Sequence, residues 1–353
     1  MERNRYTFAD SEIVRKLDRY KDHVLMKIDK MINWCSFDKI LSKVDSRNSN
    51  PSGRDCYNPS TMFRIFIIQH YYNLSVRDME DQLHLNVLYS YFCKISFGSP
   101  VPDHSTISRW RDRFIKHNIY EELLLAFHKQ IQDNGFDLRP GNIAIIDATL
   151  IESQARPKKK EIIDVEPVGD EELLKPDSSL FTDKDKITYS VEESNDSEAR
   201  WVKKGTKSVY GYKMTAIVDD KGLVNNVITT PANISDFHLF EPCINKALLP
   251  EGTKVLSDKG YDSQDNRDIL KRNKLEDGIM RKKPKNVIYD KERIERNHEI
   301  SKNRFVIERT FGYLKRKFRI GRSRYIGLTK THNSNVVSAL TFNFIRSINL
   351  ATG

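Results

Sequence analysis

Through the first part of the chain apolar residues recur at three- and four-residue spacings, the mark of helices with one buried face. Ile13, Leu17 and Tyr20, then Val24, Ile28 and Ile32, keep that rhythm. It breaks at 46-SRNSNPSGRDCYNPS-60, a polar stretch bearing Pro and Gly that predicts a linker or exposed loop. It resumes in 60-STMFRIFIIQHYYNLSVRDMEDQLHLNVLYSYFC-93, where Ser75 and Asp78 have the spacing of a capping box and predict a new short helix. Pro100 and Pro102 close this part. A further helix is predicted over 103-DHSTISRWRDRFIKH-117, with Asp103 or Ser105 as its N-cap. Ile107, Trp110 and Phe114 fall on one face, and Arg109, Arg113 and Lys116 on the opposite one. A capped helix followed by a basic amphipathic helix suits a helix-turn-helix-like DNA reader, with those three cations as DNA contacts. The alternative is an ordinary helix with a basic solvent face.

From Gly141 the rhythm shortens. The β-branched run 143-IAIIDATLIE-152 predicts a central strand with Asp147 inside it. Residues 156–200 lack strong periodicity and predict a largely loop insertion. Two alternating runs, 209-VYGYKMTAIVDD-220 and 223-LVNNVITTPAN-233, predict a hairpin turning through Asp220-Lys221-Gly222. Then come a helix over about 237–248, a short strand 254-KVLSD-258, a turn, a helix to Arg272, a strand near 279-IMRK-282, and a long helix from near Asp290 to Gly321 as its C′ residue. Strand, hairpin, then alternating helices and strands make an α/β fold, a mixed sheet flanked by helices. The expected organisation is a helical leader and linker over 1–57, a helical DNA-binding domain over 58–136, and the sheet domain over 137–346.

Charge adds a partner. Residues 281–330 hold seventeen basic and five acidic side chains, whereas 161–198 hold three basic and thirteen acidic. A concentrated basic stripe beside a separate acidic block points to a polyanion, nucleic acid first. No apolar run approaches the roughly 20 residues of a membrane span, and the opening residues do not read as a secretory signal. Cys35, Cys56, Cys93 and Cys243 are scattered, predicting reduced, packed thiols in a cytoplasmic protein and no zinc site.

The chemistry concentrates in carboxylates. Asp147 lies inside one strand and Asp258 ends another, and functional groups of open α/β sheets gather at strand ends. Glu308 is the sole acid after Ser301, inside a strongly basic helix. There Ile307, Phe311, Leu314 and Phe318 make an apolar stripe, while Arg304, Glu308 and Lys315 share a strip beside it. Arg309, Arg316 and Lys317 point elsewhere, toward solvent or a partner, and with Arg319 are candidate DNA contacts. Carboxylates without Cys or His favour Mg²⁺ or Mn²⁺. Two such ions inside a basic surround suit phosphodiester cleavage. A plain Arg304–Glu308 surface ion pair is the bland alternative.

The pieces 143-IAIIDATLIESQARP-157, 208-SVYGYKMTAIVD-219, 229-TTPANISD-236, 255-VLSDKGYDS-263 and 304-RFVIERTFGYLKRKFR-319 resemble, in order, those of bacterial DDE transposases of the insertion sequence 5 family and its insertion sequence 4 relatives. Upstream, 74-LSVRDMEDQL-83 and 101-VPDHSTISRWRDRF-114 resemble that family's helical N-terminal domain. The resemblance implies an RNase H-like catalytic core, with Asp147, Asp258 and Glu308 as metal-binding triad. It also implies a homodimer acting on terminal inverted repeats and target DNA. Arg304, Glu308 and Lys315 match its third-carboxylate signature, and Ser301 stands where that signature often has Tyr. A nuclease without strand transfer and a DNA-binding regulator are the other readings.

Overall fold

The computed structural model describes residues 8–44, 56–96, 98–133, 143–155, 161–163, 188–190, 194–247, 249–283 and 290–352. The break at 45–55, the expected domain boundary near 137 and most of the acidic insertion lie outside them.

The chain opens with α1 (Phe8–Leu17), α2 (Val24–Met31) and α3 (Cys35–Leu41). Tyr20 leaves the apolar rhythm, because the chain tightens into a 3₁₀ turn over Asp18–Tyr20 and its ring is 48% exposed. Next come α4 (Pro59–Tyr72), α5 (Val76–Leu85), α6 (Val87–Phe92), α7 (His104–Lys116) and α8 (Ile119–Asp133). Local chemistry sets their ends. Asn58 caps α4 ahead of Pro59, and Asn73 ends it in the left-handed region at φ 56°. Ser75 and Asp78 form both bonds of the capping box that starts α5. Asp103 caps α7, whose Ile107, Trp110 and Phe114 are buried. The apolar α4 is buried almost all round; its Arg64 lies 3.5 Å over the Trp34 ring and bonds Asp29 at 2.5 Å.

The sheet strands are β1 (Ile143–Glu152), β4 (Arg200–Lys204), β5 (Lys207–Asp219), β6 (Val224–Pro231), β7 (Lys254–Ser257) and β8 (Glu276–Ile279). A separate pair, β2 (Glu161–Ile163) and β3 (Thr188–Ser190), lies within the insertion. β5 runs antiparallel to β1, β6 and β4, while β7 and β8 continue parallel from β1. Read as β6-β5-β1-β7-β8, this is the sheet order of an RNase H-like core. The final strand is Glu276–Ile279, not 279–282. Its parallel register against β7 selects a polar Glu-Asp-Gly run that reads as a turn.

The sheet faces differ. Ala144 and Ile146 point with Ile217 and Val255 into a core closed by α9 (Phe240–Ala247) and α10 (Gln264–Arg272). Ile145, Ile151, Met214, Ala216 and Val218 point into a larger core shared with α11 (Lys291–Lys317), α12 (Leu328–Thr352) and the N-terminal helices. One apolar core therefore joins the helical region to the sheet. The sequence reading missed α12. It carries buried Thr331, Asn335, Ser338, Thr341, Asn343 and Ser347 among its apolar residues, so it shows no clean stripe. Asn343 explains one of them: its amide bonds both N–H and C=O of Val224, at 2.9 Å each. α11 also ends differently from expectation. Arg319, at φ 54°, holds the left-handed position after it, and the Gly321 carbonyl instead accepts the Glu152 N–H at 2.9 Å. Of the four cysteines, Cys93 and Cys243 are packed, whereas Cys35 is exposed at the start of α3 and Cys56 is half-buried. Among the described residues no helix is long and apolar enough to cross a membrane.

Candidate active site

Asp147 sits in the middle of β1, opposite Ala216 of β5, on the sheet face covered by α11. Its carboxylate bonds the Arg304 guanidinium at 2.8 Å and its own neighbour's N–H, Ala148, at 2.8 Å. Burial pushes its pKa up, and the nearby charge of Asp258 pushes the same way; Arg304 and the Ala148 N–H oppose them without winning. Asp258 follows β7 directly and caps a 3₁₀ turn, Lys259–Tyr261, by accepting the Gly260 N–H at 2.7 Å. So adjacent parallel strands place two carboxylates in electrostatic contact, with one cation against the more buried.

Glu308 lies one turn beyond Arg304 on α11 and is exposed. Among the described residues no three Asp, Glu, His or Cys side chains stand close enough to share a metal ion. Thus Arg304, not Glu308, reaches Asp147 in this conformation. Lys315, two turns further, has its pKa lowered by burial and by the charge of Lys204. Arg309 stacks on Phe305 at 5.6 Å, Arg316 bonds the Gly312 carbonyl at 3.3 Å, and Arg319 is exposed. Lys317 turns inward, 4.1 Å over the Tyr71 ring. On α7, Arg109 bonds Ser105 and Thr106 and Lys116 is exposed, but Arg113 lies 4.6 Å over Trp110 and donates to the Val44 carbonyl.

Sequence reading missed what braces the site. Arg267 joins Asp262 at 2.7 Å and Asp277 at 3.2 Å, and Arg296 of α11 joins Asp277 at 3.2 Å. This chain of charges ties the loop after Asp258 to β8 and α11. Lys213 clamps the loop after β6, bonding the Ile234 carbonyl and Asp236 at 2.7 Å each. The short spacing from Asp262 to Arg267 was the available signal; the other partners lie too far apart in sequence.

The donors at Asp147 and Asp258 fit a hard divalent cation. Both offer oxygen, and burial plus mutual repulsion leave Asp147 in want of positive charge. Glu308 is the further oxygen donor nearest in chain to the cation now serving Asp147.

Sheet order and covering helices define the class: an RNase H-like α/β fold with a helical N-terminal region. Residues 139–344 match the transposase DDE domain family, and residues 12–113 match a transposase domain of the type DUF772. The chain belongs to the DDE transposase family of bacterial insertion sequences, enzymes that cleave DNA and transfer its strands with divalent metal ions. It is 33% identical to the transposase for insertion sequence element IS1106 of Neisseria meningitidis serogroup B, over 68% of this chain and 77% of that one. Two solved chains align at low similarity. A Mos1 transposase paired-end complex with left transposon end gives 11% identity, 75% and 97% coverage and a TM-score of 0.21. A pre-cleavage Mos1 transpososome gives 9%, 84% and 98%, and 0.21. Likeness at that level carries no weight for the fold, which rests on the strand order.

Proposed function

We propose that this transposase cuts DNA at the terminal inverted repeats of an insertion sequence and joins the freed ends to target DNA. The observation that carries this reading is the Asp147–Arg304 contact, which seats a basic helix against two carboxylates on adjacent strands, one inside β1 and one just after β7. Asp147, Asp258 and Glu308 would hold two Mg²⁺ or Mn²⁺ ions, whose charge would activate the attacking oxygen and stabilise the leaving one. Arg304 neutralises Asp147 until then, and its guanidinium suits a phosphate once released. Lys315, on the same strip, would hold backbone phosphate. Arg109, Lys116, Arg309, Arg316 and Arg319 face outward and would bind DNA away from the chemistry. Arg113 and Lys317 would join them only by leaving Trp110 and Tyr71. We further propose a homodimer on paired ends, working at the nucleoid in the cytoplasm.

The test is incubation of purified protein with its element's end DNA and Mg²⁺, beside Asp147→Asn and Glu308→Gln. The expected result is nicking and joining by the wild type and binding alone by both variants. Cleavage without joining would mark a nuclease instead, and wild-type binding without cleavage a regulator.

A further inference from the structure

The segment 200-RWVKKGTK-207 carries four cations and no acid. It forms β4, a turn through Gly205 at φ 62°, and the start of β5. Trp201 pairs with Tyr210, Lys203 with Ser208 and Lys204 with Lys207. Like charges directly opposite each other weaken a hairpin, so this composition is not there for stability. Among the described residues no carboxylate pairs with Lys203, Lys204 or Lys207. The hairpin extends past the body of the sheet, since β6 ends at Pro231 opposite Tyr212.

Trp201 is 55% exposed, with its ring 5.3 Å from that of Tyr210. One side of the indole is supported and much of the rest is open. Alternation puts Trp201, Lys203 and Tyr210 on the sheet face that carries Asp147 and α11. Lys204 acts electrostatically on Lys315, so the hairpin reaches the far end of the strip that begins at Arg304. Asp147 and Glu152, which pairs with Gly211 at the hairpin's base, are separated by about 16 Å of strand.

A supported aromatic face among unpaired cations, in line with a DNA-cutting site, meets the needs of an unpaired strand: bases stack and phosphates are neutralised. We propose that the β4–β5 hairpin is an arm that holds single-stranded DNA beside the active site. Trp201 stacks on a base, Lys203 on the same face holds the neighbouring phosphate, and Lys204 and Lys207, paired on the other face at the hairpin's tip, hold phosphates where the strand passes round it. The arm rests on the reading of this chain as a DNA-cleaving enzyme and supplies grip, not chemistry. An acidic peptide would satisfy the lysines but give the indole nothing to stack on.

The test uses the full chain in EDTA, so that no cutting occurs. Binding of a labelled oligothymidylate and of a duplex of equal length is followed by anisotropy, alongside tryptophan emission. Trp201→Ala should weaken single-strand binding about tenfold and leave duplex binding within about twofold. Trp201→Phe should keep most of the affinity, and Leu125→Ala, an exposed apolar truncation outside the hairpin, should change neither. Lys203→Ala with Lys204→Ala should lower the salt slope for the single strand by about 1.4. The arm is overturned if Trp201→Ala binds the oligothymidylate like wild type, if it loses both DNAs equally, or if polyglutamate of matched charge quenches Trp201 as strongly. Nicking of end DNA by the wild type, assayed separately with Mg²⁺, keeps the two readings apart. Nicking without a Trp201 effect removes the arm alone, whereas a Trp201 effect without nicking removes the transposition reading, and with it the arm's place beside an active site, and leaves only a hairpin that binds single strands.

Discussion

Two carboxylates, Asp147 and Asp196, are held beside β5 in opposite ways. Asp147 keeps a side-chain exposure of 22% and is balanced by a full charge on Arg304. Asp196 is 1% exposed and is held by neutral donors: the hydroxyls of Ser153 and Tyr212 and the N–H of Gly327. Its own carbonyl accepts the Tyr210 hydroxyl at 2.6 Å, and Glu198 next to it accepts the Leu328 N–H at 2.9 Å. Neutral donors built into three elements cannot leave without dismantling a joint, here between β1, β5 and the start of α12. A guanidinium on a long side chain can leave, and another cation can take its place. The difference separates a site from a fastening, although both are acids in a basic protein.

Asp147→Asn should produce the largest effect, a fall in end nicking of about a thousandfold or more with the fold kept. Its melting temperature should stay within the equivalent of about 1 kcal/mol, since an amide still accepts the Ala148 N–H and no longer repels Asp258. A variant that unfolds instead would make Asp147 a fastening and erase the contrast. Asp196→Ala comes next. It leaves two hydroxyls and an N–H without their acceptor and should cost about 3 kcal/mol in denaturant unfolding. A stable Asp196→Ala protein that fails to nick would move Asp196 into the site.

Asp219 sharpens the contrast from a third position. It is 3% exposed at the end of β5 and accepts the Leu223 N–H at 2.7 Å, yet burial raises its pKa to about 6. The folded state therefore holds this proton more tightly than the unfolded chain. That contribution to stability is complete below about pH 4 and is lost as pH rises through about 6. Asp219→Asn should remove this slope, so its stability relative to wild type should climb by up to about 2 kcal/mol between pH 4 and pH 7. Parallel melting curves at the two pH values would show that the neutral donors already support the ionised acid.

How much of this could be read from residues alone follows the range of each interaction. The Ser75–Asp78 box, the Asp103 cap, the strand around Asp147 and the hairpin at Gly222 are local patterns, and they stand where the spacing predicts. β8 and α12 are set by tertiary partners, a parallel register against β7 and an Asn343 amide against Val224, and neither leaves a periodic trace. At the site, spacing along α11 groups Arg304 with Glu308 but cannot say which of them touches Asp147. That contact joins residues 157 positions apart and depends on how α11 lies on β1.

Arg304→Gln should give the smallest change and bears most directly on the contrast. The pair is partly exposed, 12% and 22%, so its loss should cost only about 1 kcal/mol. Without the guanidinium, the Asp147 pKa should rise further, because burial and Asp258 remain and the main opposing charge is gone. A divalent cation would then meet a carboxylate with no internal competitor. Millimolar Mn²⁺ should therefore raise the melting temperature of Arg304→Gln at least as much as that of wild type, and should leave Asp147→Asn unmoved. Should Mn²⁺ stabilise wild type but not Arg304→Gln, the guanidinium would be part of the cation site rather than its placeholder. Asp147, like Asp196, would then be held by partners that do not leave.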